Sequence, residues 1–167
     1  MNAMTVAQTT APEPAPHGGY RVDRITSSRD AGFAAAYDLL DAQFGPRWEL
    51  ERREVIEQWL DAREPGREYV LLLIRDAQGA PAAVRDAHIV HMPRVTVLYL
   101  AHVLVTPAHR RRGLAKILRD VPTTLARQLS DVPLLTVGEM EYPDPADDDS
   151  IVGLIAYGGA GFRALDP

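Results

Sequence analysis

The chain of 167 residues contains no cysteine, which excludes disulfide bonds, zinc sites built on thiolates and a thiol nucleophile. No apolar run approaches the roughly 20 residues that span a membrane as a helix, and the N-terminus lacks the basic start and apolar core of a signal peptide. Lysine is also nearly absent, since Lys116 is the only one among 18 basic residues, a bias that we attribute to genomic base composition. These absences predict a cytoplasmic protein without a membrane partner or a bound metal ion.

The charge balance limits the partners further. The 23 acidic residues outnumber the 18 basic ones and give a formal net charge of −5. Such a chain has no general electrostatic attraction to nucleic acid or to an anionic membrane, so any anion site must be local. The hydrophobic fraction of 46% and the charged fraction of 25% are typical of a soluble globular protein with one sizeable core. We therefore expect one domain and no nucleic-acid partner.

Local patterns divide the chain into a leader and a domain. Residues 1–19 are rich in Ala, Thr, Pro and Gly without apolar periodicity, which predicts a disordered leader before a domain at residues 20–167. Ser27 with Asp30 resembles a capping box before the first helix, and Pro122 predicts a kink or break in the third helix. The apolar periods predict an α/β domain of order β-α-α-β-β-β-α-β-α, with strands near residues 20–25, 69–74, 82–91, 95–105 and 134–141.

The most informative segment lies between the long predicted strand at 95–105 and the helix that follows it. A helix N-terminus presents unpaired backbone N–H groups and a partial positive charge, so an anion can bind there. Gly113 removes a side chain that would block a phosphate, Ala115 keeps the next turn clear, and residues 110–112 are three arginines. This segment predicts a pyrophosphate site. The alternative is a solvated helix start in which the arginines and Gly113 bind nothing.

Two motifs resemble those of a known family. The spacing from Pro107 to Arg110 to Gly113 resembles the acetyl-CoA loop of the GNAT (Gcn5-related N-acetyltransferase) family, usually written V-x-P-x-x-R-x-x-G-x-G/A. The segment that begins at Tyr157 and ends in Gly-Phe162 resembles the family's Y-x-x-x-G-F. The resemblance covers about residues 20–162. It implies a mixed, mostly antiparallel sheet flanked by helices and splayed between the fourth and fifth strands, where acetyl-CoA inserts.

The resemblance also implies roles for individual residues. Tyr157 would be the general acid for the leaving thiolate; the alternative is a core aromatic at a helix end. Ser150 stands where many relatives carry an Asn that contacts the cofactor; its alternative is a helix N-cap. The backbone at Leu104 and Val105 would pair with the pantetheine arm. The pyrophosphate would be cradled by Arg110, Arg111, Arg112, Gly113, Leu114 and Ala115.

An amine must lose a proton before it attacks a thioester, which requires a base. Glu139 and Glu141 are the candidates, because strand alternation places them on one face of the fifth strand, where some relatives have a catalytic Glu. Their alternative is a pair of solvated carboxylates, and Gly138 within the predicted strand could signal a bulge that turns them to different faces. His102 is a weaker candidate, because the relatives use the positions matching Tyr99 and Ala101, and the phase of His102 along the strand differs from theirs. A bulge in the fourth strand would correct that phase.

The implied activity is transfer of an acetyl group from acetyl-CoA to an amine acceptor, a small molecule or a protein, by direct attack in a ternary complex. The alternative functions are a non-catalytic acyl-CoA-binding or protein-interaction domain with the same fold, and a nucleic-acid module using the three arginines, which the net charge disfavours. Family members continue through two more strands after Phe162, whereas residues 162–165 leave room for one short strand. This truncated C-terminal hairpin indicates a fragment, or a homodimer whose partner supplies the edge.

Overall fold

The computed structural model describes residues 18–47, 49–62, 64–139 and 148–163. These residues form the α/β fold that the sequence predicts, in the predicted order. Residues 1–17 of the predicted leader lie outside the described residues, as do residues 164 and 165 of the predicted strand at 162–165. Phe162 and Arg163 are described and are in no strand. The elements are β1 (Arg21–Ile25), α1 (Phe33–Phe44), α2 (Arg53–Asp61), β2 (Arg67–Arg75), β3 (Pro81–His91), β4 (Thr96–Val105), α3 (Leu114–Gln128), β5 (Leu134–Gly138) and α4 (Asp148–Gly159).

The five strands form one sheet in the order of the chain. Strands β1 to β4 pair antiparallel, and β5 pairs parallel to β4 from Thr96 opposite Leu134 to Leu100 opposite Gly138. Within the described ranges, β4 continues through residues 101–105 with no partner on β5. The sheet is therefore mixed, mostly antiparallel and open between β4 and β5.

Helices cover both faces of the sheet, which explains why β2 is one continuous apolar run. Val70 and Leu72 pack on the face covered by α3, which we call the α3 face, against Leu118. Leu71 and Leu73 pack on the opposite face, the α1/α2 face, with residues of α1 and α2. All of these β2 side chains are buried. The central strands are thereby fixed on both sides, and a site at the open end of β4 has a rigid base.

Strand β4 contains a bulge at the point where the sheet opens. Arg85 pairs with Val103 and Ala87 with Leu100, so Asp86 alone stands opposite both Ala101 and His102. A bulge reverses which side chains face each side of the sheet beyond it. Accordingly, Leu98 and Leu100 pack on the α3 face before the bulge, whereas Leu104 packs on the α1/α2 face after it.

Of the two outcomes predicted for Pro122, a break is absent, and the predicted capping box is wrong. Helix α3 runs through Pro122, and the Thr123 hydroxyl donates to the Arg119 carbonyl oxygen at 2.7 Å. Ser27 and Asp30 do not cap α1, whose N-cap is Gly32 without a side-chain bond; the Asp30 carboxylate instead accepts from the Ser27 N–H in the preceding turn. No helix within the described residues is long and apolar enough to cross a membrane.

Candidate active site at the opening between the fourth and fifth strands

The start of α3 has the geometry of an anion site. Gly113 is the N-cap residue with φ of +80°, a left-handed conformation that favours glycine. A Cβ atom added to Gly113 would meet nothing within 4 Å, so this side of the helix start is open. The first intrahelical bonds run from the N–H groups of Lys116 and Ile117 to the Gly113 carbonyl oxygen. The N–H groups at Gly113, Leu114 and Ala115 precede them and are free of helical partners, as a bound pyrophosphate requires.

The three arginines before Gly113 are exposed and differ in their contacts. Arg111 has φ of +62°, and a left-handed residue of this kind turns successive N–H groups into a concave anion cradle. The Arg110 Nε donates to the Val105 carbonyl oxygen at 3.4 Å, and the Arg112 Nη1 donates to the Tyr20 hydroxyl at 3.2 Å. Arg112 is therefore held at a fixed place beside the loop, while Arg111 contributes chiefly through its backbone.

Tyr20 braces the loop, a role that the sequence did not reveal. Its ring is buried, and its hydroxyl lies 2.9 Å from His109 Nδ1. Because the Arg112 guanidinium can only donate to the Tyr20 oxygen, the hydroxyl hydrogen is available for His109 Nδ1. The two partners lie 89 and 92 positions further along the chain. No local pattern connects positions so far apart.

Tyr157 lies where the sheet begins to open. A Cβ atom on Gly138, the last residue of β5, would lie 3.2 Å from the Leu100 carbonyl oxygen and 3.8 Å from Tyr157 Cε1. The glycine at this position therefore permits close approach of a backbone and a ring. The register between β4 and β5 is regular up to Gly138, so the bulge considered from the sequence is absent from the paired part of β5. The Tyr157 ring packs on the α3 face, edge-on to Phe162 at 5.0 Å.

Arg85 is a second residue that the sequence did not single out. It lies on β3 opposite Val103 and is 97% buried, and its Nη2 is 3.4 Å from the Tyr157 hydroxyl oxygen. Its Nε and Nη1 atoms are buried without a hydrogen-bond partner among the described residues. A buried arginine is hard to anticipate from sequence, because arginine is normally exposed.

The proposed bases and the remaining predicted contacts fall on different parts of the opening. Glu139 follows the last residue of β5, is exposed, and hydrogen-bonds Tyr99. Burial is the largest cause that raises the pKa of Tyr99, and the Glu139 carboxylate is the next. Leu104 and Val105 lie on the part of β4 that pairs with β3 but has no partner on β5. Glu141 lies outside the described residues; Ser150 lies in α4, but its side chain is likewise not described.

The β4 bulge brings His102 onto the α1/α2 face, so the phase that counted against it is corrected. His102 Nδ1 lies 3.0 Å from Asp86 Oδ1, and its Nε2 lies 3.0 Å from the Glu49 carbonyl oxygen. Burial alone would lower the pKa of His102, but Asp86 and the Glu49 carbonyl together raise it. Both ring nitrogens face acceptors, which favours the imidazolium form, and an imidazolium has no lone pair for a substrate proton.

An aromatic cluster continues this face beside Tyr99. His88 lies edge-on to Trp59 at 4.8 Å, and its ring centroid is 5.0 Å from that of Tyr69 and 6.2 Å from that of Tyr99. Burial lowers the pKa of His88, so this ring is neutral at pH 7. The Tyr69 hydroxyl donates to the buried Asp86 carboxylate at 3.0 Å. The α1/α2 face of the opening therefore combines aromatic surface with carboxylates.

Comparison with known proteins agrees with this geometry. A sequence profile of the Acetyltransferase (GNAT) family matches residues 33–132. An aminoglycoside acetyltransferase from an uncultured soil metagenomic sample, in complex with sisomicin, superposes with a TM-score of 0.63 at 10% identity, over 89% of this chain and 93% of that one. An aminoglycoside antibiotic 6'-N-acetyltransferase from Acinetobacter baumannii gives 0.58 at 18% identity, over 89% and 94%.

A ribosomal-protein-alanine N-acetyltransferase from Brucella melitensis biovar Abortus 2308 also gives a TM-score of 0.58, at 20% identity over 89% of this chain and 95% of that one. No curated protein sequence matches the chain. At these identities the solved structures establish the shared fold, whereas the family profile covers more than half of the sequence. The chain therefore belongs to the Acetyltransferase (GNAT) family.

Proposed function

We propose that the protein transfers an acetyl group from acetyl-CoA to an amine by direct attack in a ternary complex. The observation that carries this proposal is the continuity of the opening. Residues 101–105 of β4, which have no partner on β5, begin beside Tyr157 and lead into the loop that ends at Gly113. At about 3.3 Å per residue this stretch is roughly 16 Å long, which suits a narrow, extended arm between an anion and a reacting group.

The residues fit the parts of acetyl-CoA. The N–H groups at Gly113 and the first turn of α3 would hold the pyrophosphate, with Arg110 and Arg112 beside it. The backbone of β4 at Leu104 and Val105, which has no partner on β5, would pair with the pantetheine arm on that side. Acetyl-CoA supplies an activated thioester and a thiol leaving group, so the chemistry needs positioning, a base and an acid.

The two proposed catalytic groups approach the opening from opposite faces. Tyr157 lies on the α3 face and would donate its hydroxyl proton to the departing thiolate. Glu139 lies next to Gly138 and beside Tyr99, whose ring meets the His88 cluster of the α1/α2 face. Glu139 would accept the proton of the attacking amine. We assign no proton transfer to His102, because both of its ring nitrogens are engaged.

The acceptor would approach on the α1/α2 face. Aromatic rings beside carboxylates attract a cationic amine through both the ring faces and the negative charge. The neighbouring structures include enzymes named for aminoglycosides and for a ribosomal-protein alanine, which are small-molecule and protein amines. We therefore propose an amine acceptor of one of these two classes.

The decisive experiment measures thiol release from acetyl-CoA with a panel of amines that includes aminoglycosides, amino acids, polyamines and peptides with free N-termini. Calorimetric titration with acetyl-CoA alone runs in parallel. We expect saturable binding and amine-dependent thiol release with at least one class. Binding without turnover across the whole panel would instead support a non-catalytic acyl-CoA-binding domain, and absence of binding would contradict the site itself.

A further inference from the structure

We propose that Arg85 is a positioning residue for Tyr157. Arg85 holds the Tyr157 side chain so that the hydroxyl proton points away from the guanidinium and is available to the departing thiolate. This inference rests on the proposed function, because it concerns the same acid. Arg85 lies on β3, and its Nη2 is 3.4 Å from the Tyr157 hydroxyl oxygen on the α3 face. It is 97% buried, an unusual place for a charged side chain.

The donor and acceptor roles in this contact are fixed by chemistry. A guanidinium has only donors, so the Tyr157 oxygen must accept from Arg85 Nη2. The hydroxyl hydrogen then cannot point at Arg85. The Tyr157 ring lies against Gly138, where β4 and β5 part. A proton directed away from Arg85 is therefore free to serve a group bound in the opening.

Fold stability does not explain the arginine. Arg85 Nε and Nη1 are buried without partners among the described residues, and unsatisfied buried donors destabilise a folded protein. Arg75 on β2 shows what a structural arginine looks like in this sheet. Its Nε pairs with Asp23 Oδ2 at 2.9 Å and its Nη1 donates to the Gly79 carbonyl oxygen at 3.0 Å. A buried arginine whose Nε and Nη1 atoms have no partner among the described residues points to function.

The positive charge also suits the proton transfer. When the amine nitrogen bonds to the thioester carbon and the carbon–sulfur bond breaks, the sulfur keeps the bonding electrons and takes the Tyr157 proton. The phenol oxygen is then negative and lies beside the Arg85 guanidinium, whose positive charge stabilises it at short range in a buried site. Glu139 takes the proton that the amine loses, and a proton returned from Glu139 through water restores the phenol. The products are an amide and a free thiol.

The test is a double-mutant cycle of Arg85→Met and Tyr157→Phe, with Arg85→Lys as the conservative variant and Arg75→Met as the matched control. We expect Arg85→Met and Tyr157→Phe each to lower kcat by about 100-fold, while acetyl-CoA affinity by calorimetry changes by less than about threefold. In the Tyr157→Phe background, Arg85→Met should lower kcat by no more than about threefold further. Arg85→Lys should retain more activity than Arg85→Met.

Thermal unfolding separates a positioning role from a structural one. Arg85→Met removes buried donors that have no partners among the described residues, so its unfolding midpoint should equal or exceed that of the parent protein. Arg75→Met removes paired donors, so it should lower the midpoint and leave kcat within about twofold. Independent effects of Arg85→Met and Tyr157→Phe on kcat, or a midpoint of Arg85→Met as low as that of Arg75→Met, would overturn the proposal.

A second readout needs no turnover and keeps the two proposals distinguishable. With ¹³C at the Cζ position of the six tyrosines, Tyr157→Phe identifies the Tyr157 resonance by its loss. Arg85→Met should shift that resonance because the hydrogen bond to the phenol oxygen is removed, and Arg75→Met should not. A shift without any acetyl transfer would leave the Arg85–Tyr157 contact standing and remove the proposed function. An unmoved resonance would defeat the contact itself.

Discussion

At the β4 bulge, the Asp86 carboxylate accepts two hydrogen bonds from His102, one from its backbone N–H at 2.8 Å and one from its ring Nδ1 at 3.0 Å. The other ring nitrogen donates to the Glu49 carbonyl oxygen, which belongs to the segment between α1 and α2. One buried carboxylate thus fixes both the irregular strand and the connection that covers the α1/α2 face. The arrangement is a buried ion pair as long as His102 is protonated.

This ion pair predicts a loss of stability at alkaline pH. The pKa of His102 is raised in the folded protein, so its contribution is complete below the unfolded value of about 6.5 and is lost as the pH rises through the folded value. Urea unfolding of the parent protein from pH 6 to pH 9 should show this decline, and His102→Gln should reduce it. His91→Gln is the control, and an equal decline in the parent and His102→Gln proteins would contradict the ion pair.

The acetyl-CoA loop allows a test with a close control. Gly113 and Gly79 have φ of +80° and +83°, and a Cβ atom on either would meet nothing within 4 Å. Glutamate at either position therefore costs a similar conformational strain of about 1–2 kcal/mol. Only Gly113→Glu places bulk and negative charge at the α3 N-terminus. Calorimetry should show a loss of acetyl-CoA affinity of at least about 100-fold for Gly113→Glu, and an unchanged affinity for Gly79→Glu. Equal affinities of the two folded variants would remove the loop from the site.

The parts of the molecule that the sequence predicts correctly depend on short-range patterns. The apolar run of β2 and the glycine at the start of α3 can be identified within a few residues, because strand period and helix capping are local. The family resemblance led to Tyr157 in the same way, through a motif of six residues. These features establish the fold and the general position of the opening.

The contacts that the sequence did not predict join residues that lie far apart along the chain. Arg85 and Tyr157 are separated by 72 positions, and Asp86 and His102 by 16, with a bulge between the strands that no residue type announces. A bulge changes the phase of a strand by one residue, so strand alternation assigned His102 to the wrong face. Sequence patterns cannot supply such pairings, since they depend on the register of the finished sheet.

Glu139 offers a direct test of the proposed base. Replacement by glutamine keeps the size and the hydrogen-bonding capacity beside Tyr99 but removes the proton acceptor. We expect Glu139→Gln to lower kcat by about 100-fold with little change in acetyl-CoA affinity. Glu54→Gln, an exposed change on α2, should leave both parameters unaltered. Full activity of Glu139→Gln would transfer the role to Glu141 or to water.

The brace at Tyr20 predicts an effect on binding that is separate from catalysis. Tyr20→Phe removes the oxygen that contacts His109 Nδ1 at 2.9 Å and accepts from Arg112 Nη1 at 3.2 Å, while the buried ring remains. Arg112 then gains freedom that acetyl-CoA must remove on binding, which weakens affinity. At about 0.5–1.5 kcal/mol for the hydrogen bond that holds Arg112, the loss should be about two- to twelvefold. Turnover at saturating acetyl-CoA should remain within about twofold, because Tyr157 is untouched.

Tyr37→Phe on α1 is the matched control and should leave the affinity unchanged. Equal binding by Tyr20→Phe would mean that the brace contributes nothing to affinity, and tighter binding would mean that Arg112 serves the phosphates better without it.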